Sequence, residues 1–216
     1  MTLSSACLTL SSMSSKKKPV KAPADLRRAL LDASLVLIEA EGLEKLSMRE
    51  VARRAGVSHQ APYHHFTDKE AILAALVAEG FEKLRQASLA SIEEVADPAA
   101  RLTALGRTYV DYALSHPAHF KLMFRSELVP EHKHEEVKAC AEGAFSVLVQ
   151  VAGEVARKRK LPEHLVALAG WSLVHGLSTL LLEGKLDKLI DKPSARAKAA
   201  RECVAMFEAF WGGKSA

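Results

Sequence analysis

Five residues within the stretch Ser47 to Phe66, SMREVARRAGVSHQAPYHHF, carry hydrogen-bonding groups with no obvious place in a core: Ser58, His59, Gln60, Tyr63 and His64. A glutamine can pair with two atoms of an adenine edge, and serine or histidine can reach base edges or phosphate oxygens. The same side chains could equally be solvated residues of a small helical domain, and the pattern alone leaves that choice open. Other polar groupings suggest less. His116 and His119 are three apart and His132 and His134 two apart, yet neither pair has the cysteine or carboxylate neighbours of a zinc site. The first pair reads as a turn cap or a pocket rim, the second as part of a solvated linker. No G-x-S-x-G turn and no glycine-rich phosphate loop occurs. No catalytic activity, metal or cofactor is therefore expected.

The elements that must position the five residues are legible in the same stretch. Ser47 has Glu50 three places on, the spacing of a capping box. Met48, Val51, Ala52 and Ala55 then recur at helical spacing. Gly56 stops the helix where a positive φ is wanted. Val57 packs inward, Ser58 is placed to cap a second helix, and Ala61, Pro62 and Phe66 fall on its close-packed side. Pro62 lies within the first turn or so, where a missing N–H matters least. Two short helices about a tight turn make a helix-turn-helix, whose second helix enters the major groove while the first crosses the backbone.

The run from Leu26 to Phe81 resembles the DNA-binding domain of the tetracycline-repressor (TetR) family of bacterial regulators. The match is carried by REVARRAGVSHQAPYHHFTDKEAILAA, by the preceding EAEGLEKLS and by the pair Tyr63–His64. The resemblance implies a double-stranded DNA partner, with Ser58, His59 and Gln60 facing bases and with Tyr63, His64 and Lys69 on phosphate. Ser47, Arg49 and Ala61 complete the expected contact set. Phosphate contacts position and base contacts specify. His59, Gln60 and His64 depart from the small or basic residues more usual in the family, so no operator sequence can be copied from a relative.

Composition agrees with an all-α chain. Of 216 residues, 49% are hydrophobic and only 8 are proline, with little strand-like alternation. The net charge of +4 says little about nucleic acid by itself. Its distribution says more, because residues 1–70 hold 11 basic and 8 acidic side chains against 19 and 18 in the remainder. Cys7, Cys140 and Cys203 are isolated, as in a reducing cytoplasm. No run of 18 or more uninterrupted apolar residues and no secretory signal is seen, so no membrane partner is expected. Residues 1–22, rich in Ser and Lys, read as a disordered tail. Its Lys16–Lys18 run is either a solvated tail or an arm along the DNA.

Three units follow: the tail over 1–22, a helix-turn-helix domain over 23–70, and a helical effector-binding and dimerisation domain over 71–212. Helices are expected from about Ala24 to Glu41, from a Thr67–Asp68 cap toward Ala96, and from Ala99 to Leu114 behind an Asp97–Pro98 break. Further helices are expected over Glu135–Arg159, from Pro162 to about Glu183, and from about Ala195 to Trp211. The segment LVALAGWSLVHGLSTLLLEG is apolar nearly all round, so it must be buried on more than one side. The economical partner is the same helix of a second subunit, which with the last helix (Val204, Met206, Phe207, Phe210) would make a four-helix homodimer interface.

Trp171, His175 and Gly176 resemble the W-x-x-x-H-G signature of a C-terminal domain found in a subgroup of TetR-like regulators, as does the earlier HPAHFKLMF. Trp171 and His175 share a helix face one turn apart. The pair serves either as a packed Trp beside a hydrogen-bonded His or as a ligand contact. Tyr109, Phe120, Met123, Phe124, Phe145, Trp171 and His175 form the expected ligand-binding set, for a small apolar or weakly polar organic effector. The reading is a dimeric, ligand-responsive regulator, with repression favoured by the resemblance. The alternatives are an activator, a constitutive DNA binder, or a helical-bundle enzyme or carrier.

Overall fold

Aspartates, prolines and left-handed residues cut this alanine- and leucine-rich chain into helices at the places where backbone groups need other partners. In the computed structural model, which describes residues 23–190 and 192–212, the regular structure of the described residues is entirely helical. The expected N-terminal arm lies outside the described residues. The helices are α1 (Pro23–Glu41), α2 (Met48–Ala55), α3 (Lys69–Ile92), α4 (Pro98–Ser115), α5 (Pro117–Met123), α6 (Glu135–Arg159), α7 (Glu163–Leu182) and α8 (Arg196–Gly212).

Their ends follow capping chemistry. Ser47 Oγ accepts the Glu50 N–H at 3.2 Å, Asp68 Oδ1 the Ala71 N–H at 2.8 Å and Asp97 Oδ2 the Ala100 N–H at 3.1 Å. Each satisfies a donor that the first helical turn leaves without a partner. Only half of the expected capping box forms, because the Glu50 carboxylate turns to Arg53. Gly56 closes α2 at φ 71°, ψ 33°, the left-handed conformation that an L side chain resists. α6 ends at Lys160 (φ 55°), and the basic run before it is paired: Lys158 reaches Asp97 at 2.6 Å and Arg157 reaches Glu163 at 3.2 Å.

One feature departs from expectation. The second helix of the helix-turn-helix is a single 3-10 turn over Ala61–His64, not an α-helix starting at Ser58. Pro62 is the cause: an α-helix from Ser58 needs the Pro62 N–H on the Ser58 carbonyl, and proline has none. The Ser58 carbonyl instead accepts the Ala61 N–H at 3.0 Å, and the Ser58 hydroxyl caps nothing.

Packing makes α3 the axis. A single buried cluster runs from Leu30, Leu37, Val51 and Phe66 at one end, through Ile72 and Leu76, to Phe81, Tyr112, Met123 and Val137 at the other. α3 therefore passes without a break through the expected domain boundary at residue 70. Beyond it α3, α4, α6 and α7 form the bundle, α8 lies on α4, and α5 is wedged among α1, α3 and α4. By length and hydropathy alone α6 and α7 could each cross a membrane, with mean hydropathy 1.3 and 1.7 over 18 residues. Both are laid side by side in the bundle, each with one face in a core.

Two glycines allow the closest helix approaches. A Cβ at Gly80 on α3 would come within 2.8 Å of Met123 Sδ on α5, and one at Gly106 on α4 within 2.9 Å of Val204 Cγ1 and 3.2 Å of Val174 Cγ1. Valine is branched at Cβ and cannot swing away as methionine can. Gly106→Ala is therefore expected to lower stability by about 1–3 kcal/mol, the usual penalty of overpacking. Urea unfolding that leaves the midpoint unchanged would show that α8 yields freely.

Candidate functional site

The 3-10 turn presents a polar edge held from behind. Pro62 and Phe66 are buried, and Arg27 lies over the Phe66 ring, 5.3 Å from its centroid. Ser58, His59, Gln60, Tyr63 and His64 are exposed, Tyr63 by 53%. Gln60 Nε2 lies 3.0 Å from His59 Nε2, so these two side chains hold each other while facing solvent. Arg49 is also exposed. Three expected contacts sit differently. Ala61 is only 9% exposed, its methyl turned into the fold behind the turn, where it cannot meet a base edge. Lys69 donates from Nζ to the Leu43 carbonyl at 3.1 Å, tying the start of α3 to the loop before α2. The Ser47 hydroxyl is already engaged as the α2 cap.

A cavity of about 450 Å³ opens between α3, α4, α6 and α7. Tyr109, Met123, Phe124, Phe145 and Trp171 of the expected set line it, together with Phe81 and Val77 from α3. Phe120 and His175 do not. Phe120 is buried behind the wall, its ring 5.5 Å from Tyr109 and 5.2 Å from Phe124. His175 holds Tyr109: Trp171 Nε1 donates to the Tyr109 oxygen at 3.4 Å, and that hydroxyl is 2.8 Å from His175 Nδ1. The Tyr109 hydroxyl thus bridges the Trp171 and His175 side chains. Burial pushes the Tyr109 pKa up and the His175 pKa down, both toward the uncharged forms. Sequence reasoning missed Ser88 and Thr103 within the wall, and Arg125, Glu131 and Glu142 at the mouth. Only Glu142 carried a hint, standing one turn before Phe145.

Between cavity and turn lies a charged joint. Glu79 Oε2 is 2.5 Å from Arg28 Nη1 of α1, and Lys83 Nζ is 2.5 Å from Oε1. Burial favours the protonated Glu79 acid, but Lys83 and Arg28 outweigh it and hold the carboxyl below its usual range. His119 of α5 is 5% exposed in its side chain, with Nε2 3.6 Å from Glu79 Oε1 and no hydrogen-bond partner. It is therefore neither pocket rim nor turn cap. His116 stacks on Tyr112 at 4.6 Å between ring centroids. The second pair is not simply solvated either, because His134 Nε2 meets Glu70 Oε1 at 2.8 Å across the starts of α6 and α3. Among the described residues no three His, Cys, Asp or Glu side chains converge as metal ligands.

Two family models match the chain: bacterial regulatory proteins of the tetR family over residues 30–76, and the tetracyclin repressor-like C-terminal domain over residues 102–207. The HTH-type transcriptional regulator BetI of Rhizobium meliloti is 40% identical over 81 residues, spanning 38% of this chain and 40% of that protein. The HTH-type transcriptional activator FasR of Mycolicibacterium smegmatis is 29% identical over 181 residues, 80% of this chain and 79% of that one. A solved structure from Rhodococcus sp. RHA1, of a protein with unknown function, is 32% identical with a TM-score of 0.72, covering 88% of this chain and 96% of that one.

Two substitutions probe the buried polar groups. Burial, reinforced by Lys83 and opposed by Glu79, lowers the His119 pKa to about 4 from 6.5. The unfolded chain then binds the extra proton between those values, so stability falls as pH drops through that window. Urea titrations at pH 7 and 5 should give about 2 kcal/mol less loss in His119→Gln than in the parent; equal losses would place that dependence elsewhere. Tyr109→Phe strands Trp171 Nε1 and His175 Nδ1 and should lower stability by about 1–3 kcal/mol at pH 7.

Proposed function

The chain belongs to the tetracycline-repressor family of bacterial regulatory proteins, and on that premise we propose that it is a cytoplasmic dimeric repressor that reads a palindromic operator and lets go when a small organic effector enters its cavity. The observation that carries this reading is the shared core: residues bracing the reading turn and residues walling the cavity belong to one buried cluster threaded by α3. An effector that changes how the wall packs changes the seat of the reader. It needs only unequal affinity for the DNA-competent and incompetent arrangements.

Residues 23–70 do the reading and 71–212 the sensing and pairing. Ser58, His59 and Gln60 meet the major groove, with Tyr63, His64 and Arg49 on phosphate. Lys69 and Ser47 act through their backbone neighbours unless DNA draws their side chains out. Pairing uses the outer face of α7, where Leu165, Leu168, Ala169, Ser172, Gly176 and Leu180 follow one another at helical spacing. Leu168 is 56% exposed in the single chain, and the Gly176 Cβ position has nothing within 4 Å, which suits a second helix lying close against it. Met206 on α8 is exposed as well. Two-fold pairing sets the two readers over successive major grooves, about 34–36 Å apart or a multiple of it.

The Trp171–His175–Gly176 motif supports a place in the subgroup with a WHG-type C-terminal domain; here Trp171 and His175 clasp α4 through Tyr109. α5 is the transmitting element: Met123 and Phe124 approach the cavity, and Met123 also presses on Gly80 beside the Glu79–Arg28 pair. The name of FasR, an activator, favours a second reading in which the bound dimer promotes transcription. Operator position relative to the promoter decides between the two.

Selection of bound sites from a random DNA pool by the full chain should return an inverted repeat. Against that site, Gln60→Ala should lose roughly tenfold to a hundredfold in affinity while binding to unrelated DNA is unchanged. Arg49→Ala should weaken both and reduce the salt slope by about one. Fluorescence anisotropy at fixed salt reads these outcomes. No sequence preference in the parent, or an equal loss on both DNAs for Gln60→Ala, would remove the recognition role.

A further inference from the structure

The cavity has an uneven distribution of charge. Within it Thr103 Oγ1 donates to the Ala99 carbonyl at 3.0 Å, Trp171 and His175 both bond the Tyr109 hydroxyl, and Ser88 adds one hydroxyl to the wall. A ligand entering the chamber meets aromatic and aliphatic walls and no ionised group. The charges stand at the mouth, where Arg125, Ser126, Glu131, Glu142 and Phe145 are solvent-exposed. Arg125 donates from Nε to Glu127 Oε1 at 2.7 Å, which cancels the one cation lining the mouth. Glu131 and Glu142 pair with no basic side chain among the described residues.

We propose that the effector is an amphipathic organic cation, with an apolar body in the chamber and a tertiary or quaternary ammonium group held at the mouth between Glu131, Glu142 and the Phe145 ring. This rests on the effector reading above and replaces the apolar or weakly polar ligand expected from sequence with a charged one. Three observations carry it. The mouth has two unneutralised carboxylates, so a cation gains and an anion loses by sitting there. Glu142 and Phe145 are three apart on α6 and share a face. The carboxylate therefore stands beside a ring that is 45% exposed although it lines the cavity. Phe145 and Trp171 then make two walls of an aromatic corner, with centroids 5.6 Å apart and planes at 65°. Ring faces attract cations, and a weakly hydrated ammonium gives up less water to use them. Size bounds the body: about 450 Å³ corresponds to roughly fifteen waters at ~30 Å³ each, so one or two rings or a short chain fit.

Three probes that share a phenylbutyl body test the assignment by isothermal titration of the full chain: (4-phenylbutyl)trimethylammonium, its neutral tert-butyl isostere (5,5-dimethylhexyl)benzene, and 5-phenylpentanoate. The ammonium should bind about tenfold more tightly than the neutral isostere, and the carboxylate more weakly than either. Raising salt should shrink the spread. In the double variant E131Q/E142Q the ratio of ammonium to isostere affinity should fall to about one. Equal binding of all three probes, or a double variant that keeps the preference, overturns the cation and leaves the cavity as an effector site. No binding by any probe overturns both.

Discussion

The rest of the molecule is arranged around the fact that α3 is one unbroken helix with two jobs. Twenty-four residues at 1.5 Å each make a rod of about 36 Å. Its first turn is capped by Asp68 and fastened through Lys69 to the loop before α2, and its far half supplies Val77, Phe81 and Leu84 to the cavity wall. A close-packed interior does not deform gradually. A displacement at Phe81 must therefore move the rod, slide α5 past Gly80 or open a void. The first two outcomes reach the Arg28–Glu79 pair and the reading turn beyond it. The coupling proposed above would need no special relay, only this shared core.

Much of this was legible beforehand, and the reasons are local. Asp68, Asp97, Gly56 and the Pro117 turn are decided by backbone groups a few residues away, so the helix limits read from them agree with the structure to within a few residues. Five of the seven expected cavity residues face the cavity, because a large apolar side chain on an inward helix face has few other places to go. The misses came from distance. Whether Lys69 is free depends on the Leu43 carbonyl, 26 positions earlier, and whether His119 rims a pocket depends on Glu79, 40 earlier. No periodicity encodes such meetings. Pro62 is a different case. Its missing N–H was weighed as tolerable in a first turn, when in so short a segment it removes the one bond that would have made the turn an α-helix.

The W-x-x-x-H-G motif shows how one short signature can serve two faces. Trp171 and His175 turn inward and close on the Tyr109 hydroxyl, which fixes α7 to α4. Gly176, the next residue, turns the other way onto open space. Three residues within six positions thus lock a helix to its own chain and leave its back smooth for a second one. His175 holds Tyr109 in the cavity wall and is not itself among the residues that line the cavity.

The outer face of α7 from Leu165 to Leu180 exposes no ionisable side chain, since His175 is turned inward. In the pairing proposed above, such a contact has no means of turning away a near-relative by like-charge repulsion, so the choice of partner would fall to shape alone. Insulation from crosstalk then depends on the depth of the hollow at Ser172 and Gly176, and a bulky side chain at either place would redirect mating rather than merely weaken it.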